Sequence, residues 1–263
     1  QKRLVRTLTL HPVQRKTPVF ISGSNRSGTQ MVCRAIGNSP HGWDYPEADF
    51  SIAFERYSLR SHAVIDRLIR WSPAPLVSFG SILDSQFTDA LLDRFQNSRA
   101  IWVFRRYEDA VNSSIRSWGG HQKNMMRQVA QGKQSHLGPR GLRIADENVE
   151  LIRSLYSESL TDEDAGCLYW YMRNKVFFDL GLDRNPRVMA LQYEDAVLNQ
   201  ERSFRSVFHF LGCPYHDSVI GDVFATSVGK QDWKGTSEEI SALCDGLKAR
   251  LDAHHARTLN AWG

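Results

Sequence analysis

Arg26 sits inside a run of small residues, "ISGSNRSGTQ" (residues 21–30), with a short apolar stretch before it and a helix-like stretch, "MVCRAI", after it. A strand, a small-residue loop and a helix present backbone N–H groups and a positive helix end to a phosphate. Arg105 closes a second apolar stretch, and Ser113 follows within "RRYEDAVNSSIRSW" (residues 105–118), which reads as a helix. An arginine at the end of a strand and a hydroxyl two turns along the next helix can converge on one phosphate, one as a charged fork and the other as a neutral donor. Both arginines would then lie at the carboxyl edge of a parallel sheet, where open α/β folds bind ligands. Two anion sites at one edge suit a ligand with phosphates in two places.

The loop fits neither common nucleotide fingerprint. GxxxxGK[ST] requires a lysine after the second glycine, but Gly28 is followed by Thr29 and Gln30. GxGxxG requires a third glycine, which Gly23 and Gly28 do not have. Taken alone, the run is equally a Ser/Gly turn carrying a surface arginine.

The elements that must position these residues are legible as alternating apolar runs and helical stretches. Residues 18–23, 75–79, 100–104 and 187–193 read as strands, buried on both faces and joined by βαβ crossovers. Helices are expected at 29–37, 50–71, 85–95, 107–118, 164–180, 200–211 and 237–255. "TSEE" (236–239) resembles a capping box, and "LGCP" (211–214) a glycine-proline helix stop. The expected fold is a single α/β domain, with a central parallel β-sheet flanked by helices and a P-loop-like donor site. It would span residues 18–263 behind a basic N-terminal arm, 1–17. Residues 119–161, polar and carrying "GPRG", read as an irregular insertion or lid over the acceptor site.

Composition agrees with a folded protein: of 263 residues, 41% are hydrophobic and 24% charged. No apolar run is long enough to span a membrane. The net charge of +4 suits an anionic ligand. Lys2, Arg3, Arg6, Arg15 and Lys16 lack the interleaved aromatics of a nucleic-acid groove, so no nucleic-acid partner is expected. Cys33, Cys167, Cys213 and Cys244 form no CxxC pair, which points to a reducing compartment and to the cytoplasm as the expected location. The chain begins at glutamine, which leaves room for a targeting segment upstream.

Taken together, the motifs resemble those of the sulfotransferases that use 3′-phosphoadenosine 5′-phosphosulfate (PAPS). The family's 5′-phosphosulfate loop, [KR]-S-G-T-[TS], is matched by Arg26, Ser27, Gly28 and Thr29, with Gln30 where a hydroxyl residue is usual. Its 3′-phosphate element, R-x-x-[KR]-D-x-x-x-S, is matched by Arg105, Asp109 and Ser113, with Glu108 at the basic position. "LQYEDAVLNQERSFRSVFHFLG" (191–212) resembles the segment that places a tyrosine, here Tyr193, near the nucleotide. "VGKQDWKG" (228–235) resembles the basic loop that closes over it through Lys230.

The resemblance implies in-line transfer of a sulfuryl group from PAPS to a hydroxyl or amine of a small-molecule, glycan or peptide acceptor, releasing adenosine 3′,5′-bisphosphate. No metal is needed where arginines and backbone N–H groups supply the charge. The alternatives are a P-loop-type nucleotide-dependent kinase, for which the GK[ST] lysine is missing, and a catalytically silent nucleotide-binding protein.

Within the family, the tyrosylprotein and heparan branches use a glutamate base beyond an H-P-D-like turn. Here Asn38-Ser-Pro-His41 matches the turn, and Glu47 lies 21 positions after Arg26. The resemblance therefore names Glu47 as the general base, Arg26 as the catalytic cation and His41 as an alternative base, with Asp44 a further loop acid. The family's lysine after the second strand falls near Gly80 or Ser81, and no lysine is present there. Either Arg26, Lys230 or another basic residue takes over its role, or the transition state is less well stabilised and activity is lower. Trp43, Trp71 and Trp118 are candidate walls of an acceptor pocket, while Trp170, Tyr171, Phe177 and Phe178 read as core.

Overall fold

Short runs such as Val19-Phe20-Ile21 are wholly buried although adjacent side chains point to opposite faces, so both faces of the sheet must be covered. In the computed structural model, which describes residues 16–221 and 233–262, the first described elements are strand β1 (Thr17–Gly23) and helix α1 (Thr29–Asn38). Next come β2 (Gly42–Tyr45), a hairpin of β3 (Phe54–Glu55) and β4 (Ser58–Leu59), α2 (His62–Trp71), β5 (Leu76–Gly80) and α3 (Thr88–Arg94). β6 (Arg99–Phe104) leads into α4 (Tyr107–Trp118), α5 (His121–Ala130), α6 (Asp146–Leu155) and α7 (Asp162–Asp179). β7 (Val188–Gln192), α8 (Tyr193–Leu198), α9 (Gln200–Leu211) and α10 (Glu238–Trp262) complete it.

The main sheet has the order β2-β5-β1-β6-β7, and every pairing in it is parallel. On one face Val19, Ile21, Ile101, Val103 and Leu191 pack with α1 and α9. On the other Phe20, Phe79, Trp102, Phe104 and Ala190 pack with α7 and α10. Helix α7 lies in this second layer and is buried on nearly every side. Its N-terminus carries a reciprocal capping box, in which the Thr161 hydroxyl accepts from Asp164 N–H and the Asp164 carboxylate from Thr161 N–H. Thr236 and Ser237, read as opening α10, both donate to the Asp164 carboxylate. At the end of α9, Gly212 adopts the left-handed conformation (φ 70°), as the glycine-proline signal requires.

Three expectations are corrected. The helix expected over 50–71 begins only at His62, because Arg56 and Tyr57 take positive φ angles (50° and 65°) and turn the chain into the β3–β4 hairpin. Residues 119–161 are folded rather than irregular. Met125, Met126 and Val129 of α5 and Val149 and Ile152 of α6 are buried in the core layer that includes α7, behind polar outer faces that hid the pattern. Edge strand β2 was not foreseen. Lys16, assigned to the basic arm, donates to the carbonyls of Ser72 and Ala74 at 2.6 and 3.3 Å, and the other arm cations lie outside the described residues. Among the described residues no helix is long and apolar enough to cross a membrane.

Candidate functional site

β1 delivers the loop 24–28 to the carboxyl edge of the sheet, where α1 begins. Gly28 has φ 88°, and a Cβ there would lie 2.3 Å from the Tyr193 ring, so only glycine fits both the turn and the close approach. Helix α1 starts without a capping side chain and without an acid in its first turn, so no side chain of the helix itself offsets its positive end. Arg26 also takes a positive φ (64°), which turns its side chain across to α4. There its Nε donates to Ser113 Oγ at 3.0 Å, and its guanidinium lies 5.5 Å from the Trp118 ring centroid. Ser27 is used differently: its buried hydroxyl bonds Ser24 at 2.7 Å and holds the turn.

Arg105, the residue after β6, is buried with its guanidinium 4.6 Å from the Tyr193 ring centroid. Asp109 and Glu194 stand at 4.0 and 3.9 Å, and Arg105 Nη1 donates to the Arg26 carbonyl at 3.4 Å. Arg26, Gly28, Thr29, Gln30, Arg105, Ser113 and Tyr193 thus line one cleft of about 340 Å³. Lys230 lies outside the described residues.

Glu47 follows β2 at the same edge. Leu83 N–H donates to its Oε1 at 2.8 Å, and the Gln30 amide donates to its backbone carbonyl at 3.1 Å. Burial pushes its carboxyl up from 4.5 to about 7, against the opposing pull of the Leu83 N–H and the Arg140 charge. Neighbouring Asp84 is pushed up to about 6, also by burial, while accepting from Leu59 N–H at 2.7 Å. A carboxyl raised this far can take up or release a proton near neutral pH.

Beyond Glu47 opens a second cavity of about 490 Å³, walled by Asn25, Tyr57, Trp118, Gln122, Arg140 and Tyr169 among others. Asn25, Glu47 and Trp118 line both spaces. The Tyr169 hydroxyl donates to Asn25 Oδ1 at 3.0 Å and ties α7 to the loop 24–28.

Other sequence candidates fall elsewhere. His41 precedes β2 at the amino edge of the sheet, where its carbonyl accepts from Leu76 N–H, and it lines neither cavity. β2 itself separates His41 from Glu47, since a strand advances ~3.3 Å per residue. Asp44 packs against Gly37, where a Cβ would sit 2.3 Å from Asp44 Oδ1. Trp71 is 78% exposed and borders neither cavity, unlike Trp118.

Sequence reasoning passed over Asn25, Arg140, Tyr169 and Arg173. Arg173 is only 1% exposed and donates to Gln86 Oε1 at 2.7 Å and to the Ile82 carbonyl at 2.9 Å, bracing the segment whose Leu83 N–H holds Glu47. Its signal was a lone arginine inside the apolar run "YWYMRNKVFF".

The chain matches no protein-family model and no curated protein. In overall structure it is similar to a sulfotransferase from Alicyclobacillus acidocaldarius, at 19% identity over 95% of this chain and 99% of that one, with a TM-score of 0.50. It is also similar to a mouse sulfotransferase complexed with PAP, at 14% identity over 95% of this chain and 90% of that one, with a TM-score of 0.48. The sulfotransferase domain of the Synechococcus PCC 7002 olefin synthase is similar at 15% identity over 96% and 98%, with a TM-score of 0.46. The likeness to the Alicyclobacillus protein is one of architecture, and the α/β fold of this chain is that of a sulfotransferase.

Proposed function

We propose that the protein transfers a sulfuryl group from PAPS to a hydroxyl or amine of a small molecule, glycan or peptide. The observation that carries this reading is the position of Glu47, on the wall common to an arginine-lined anion cleft and a separate cavity. The residues of the cleft suit a nucleotide with anionic groups at two ends. The uncapped start of α1 and Arg26 serve one group, and Arg105 above Tyr193 serves the other. When bound there, PAPS supplies an activated sulfuryl group and a stable leaving phosphate.

The protein's own part is positioning and charge. Arg26, fixed by Ser113 and Trp118, offsets negative charge on the transferred group and costs little reorganisation. Thr29 and Gln30 add donors at the helix start. Glu47 takes the acceptor's proton at Oε1 or Oε2, and the Leu83 N–H steadies its ionised form. Residues 119–161 act as the lid of the acceptor site through His121, Gln122, Met125 and Arg140.

Thermal unfolding with adenosine 3′,5′-bisphosphate, ATP and NAD tests the reading. Selective stabilisation by the bisphosphate, with a sulfated product by mass spectrometry from an acceptor panel given PAPS, is expected. Indifference to the bisphosphate refutes it, and preference for ATP favours a kinase. Stabilisation by the bisphosphate with no sulfated product leaves a silent nucleotide-binding protein.

A further inference from the structure

We infer that the acceptor carries an anionic group, a carboxylate or a phosphonate-like oxyanion, alongside the hydroxyl that is modified, and that Arg140 recognises it. The inference rests on the sulfuryl-transfer reading and specifies the class of acceptor.

Arg140 lines the cavity beyond Glu47 and not the donor cleft, so its charge is directed at the acceptor. Among the described residues its guanidinium has no hydrogen bond and no ion pair, and its Nε is shut off from solvent without a partner. A buried guanidinium N–H without a partner is costly unless a ligand supplies the missing oxygen, and the half-buried head leaves its two outer nitrogens open to the cavity to take a second one. Three residues on, Arg143 grips Asp89 with two bonds of 2.7 Å each, so this segment does pair its arginines where an acid is within reach.

The backbone around Arg140 is pinned on both sides. The Gln86 amide donates to the Pro139 carbonyl, and Arg143 Nη1 donates to the Gln86 carbonyl at 2.9 Å. Gln86 is itself held by the buried Arg173. The unpaired head is thus presented on a fixed frame, the arrangement that gives binding selectivity at least entropic cost.

The charges around the cavity point the same way. Glu47, His121 and Arg140 line it, with Asp84 and Arg173 exerting their charges on Glu47 from nearby. Burial raises the Glu47 and Asp84 carboxyls above the ordinary carboxylate range, so the two acids together do not fully offset the two guanidinium charges at neutral pH. Tyr57 and Trp118, each 47% exposed, flank the opening with ring surface. The matching acceptor is a hydroxy acid with an aromatic or other apolar body, on the scale of about 490 Å³.

The test uses para-hydroxyphenylacetate, para-hydroxybenzylphosphonate and the neutral para-hydroxyphenylacetamide, with omega-hydroxyhexanoate and its amide as an alkyl pair. Binding to protein saturated with adenosine 3′,5′-bisphosphate is measured by calorimetry, and transfer from PAPS by mass spectrometry. Each anion should be preferred over its neutral partner by ~10-fold or more. Arg140→Gln should abolish that ratio, and Arg140→Lys should keep part of it. Stabilisation by the bisphosphate reports separately on the fold and the donor cleft in each variant. The inference is overturned if acids and amides bind alike, if no acid binds, or if the preference survives in Arg140→Gln. A protein that ignores the bisphosphate refutes the transfer reading instead.

Discussion

Replacing Glu47 by Gln should make the protein more stable at alkaline pH while removing its activity. Burial moves the Glu47 carboxyl from 4.5 to about 7 in the folded state. At 1.36 kcal/mol for each tenfold change, that disfavours the ionised form by about 3 kcal/mol. The raised value means the folded state holds the proton more tightly than the unfolded chain. Its stabilising contribution is complete below 4.5 and is lost as the pH rises to about 7. Between about pH 5 and pH 8 the wild type should lose about 2.5 kcal/mol through this group, and the glutamine, which does not titrate, should lose none. Glutamine keeps an oxygen to accept from Leu83 N–H, so the comparison isolates the charge. At roughly 2–4 °C per kcal/mol for a chain of this size, the gap in Tm between variant and wild type should widen by several degrees from pH 5 to pH 8. In the transfer assay the variant should lose ~10²-fold or more in kcat, while the wild-type rate rises with pH through about 7. A Tm gap that does not change with pH would show that Glu47 is not held in a desolvating site, and near-normal turnover would remove it as the base.

Arg105→Ala should weaken adenosine 3′,5′-bisphosphate binding by about 1.5–3 kcal/mol in calorimetry, because it deletes the guanidinium stacked on Tyr193; unchanged affinity would place the second phosphate elsewhere. Gly28→Ala should cost about 1–3 kcal/mol of stability from its φ of 88° alone, and displacing the Tyr193 ring should also weaken the nucleotide; chemical denaturation and ligand-dependent Tm measure the two effects. Gly80→Ala places a Cβ 2.9 Å from the backbone nitrogen of Glu47, so kcat should fall, by as much as ~10²-fold, with bisphosphate affinity nearly intact; equal losses in both would mean a general loss of structure.

Four of the five strands of the main sheet, β1, β5, β6 and β7, were legible because continuous apolar runs admit few other fates once helices flank them. The meeting of Arg26 and Arg105 in one cleft was legible for a related reason: Arg26 lies three residues beyond β1 and Arg105 directly follows β6, and parallel strands bring their carboxyl ends to one edge. The side of the site around Glu47 was harder to read. β2 is four residues, Gly42-Trp-Asp-Tyr, with no apolar run, so nothing in the sequence separates His41 from Glu47, yet that strand carries them to opposite edges. Arg140 and Arg173 become neighbours of Glu47 only through packing of segments distant in sequence, which no local pattern encodes. The helices of 119–161 were obscured because their buried residues are few and spaced among glutamine, lysine and arginine.

The missing lysine has a structural reason. At Gly80 the place where a side chain would begin is already filled by the Glu47 backbone, and Ser81 is wholly buried with its hydroxyl 3.3 Å from Ser22 Oγ. A lysine at either position would displace the turn that carries the carboxylate or enter the core. On the transfer reading, and among the described residues, the cation that faces the leaving group therefore comes from the other wall. Arg105 is held over the Tyr193 ring and between Asp109 and Glu194. Arg26 lies in the donor cleft, next in sequence to Asn25, which lines both spaces, and Ser113 and Trp118 fix its direction. A positive φ at a non-glycine residue costs about 1–3 kcal/mol, and such strain is kept where the surrounding structure holds it for a task. That backbone angle brings the Arg26 side chain across from the loop to α4, so the strain and the lost lysine are two consequences of how the base and the anion loop share one sheet edge.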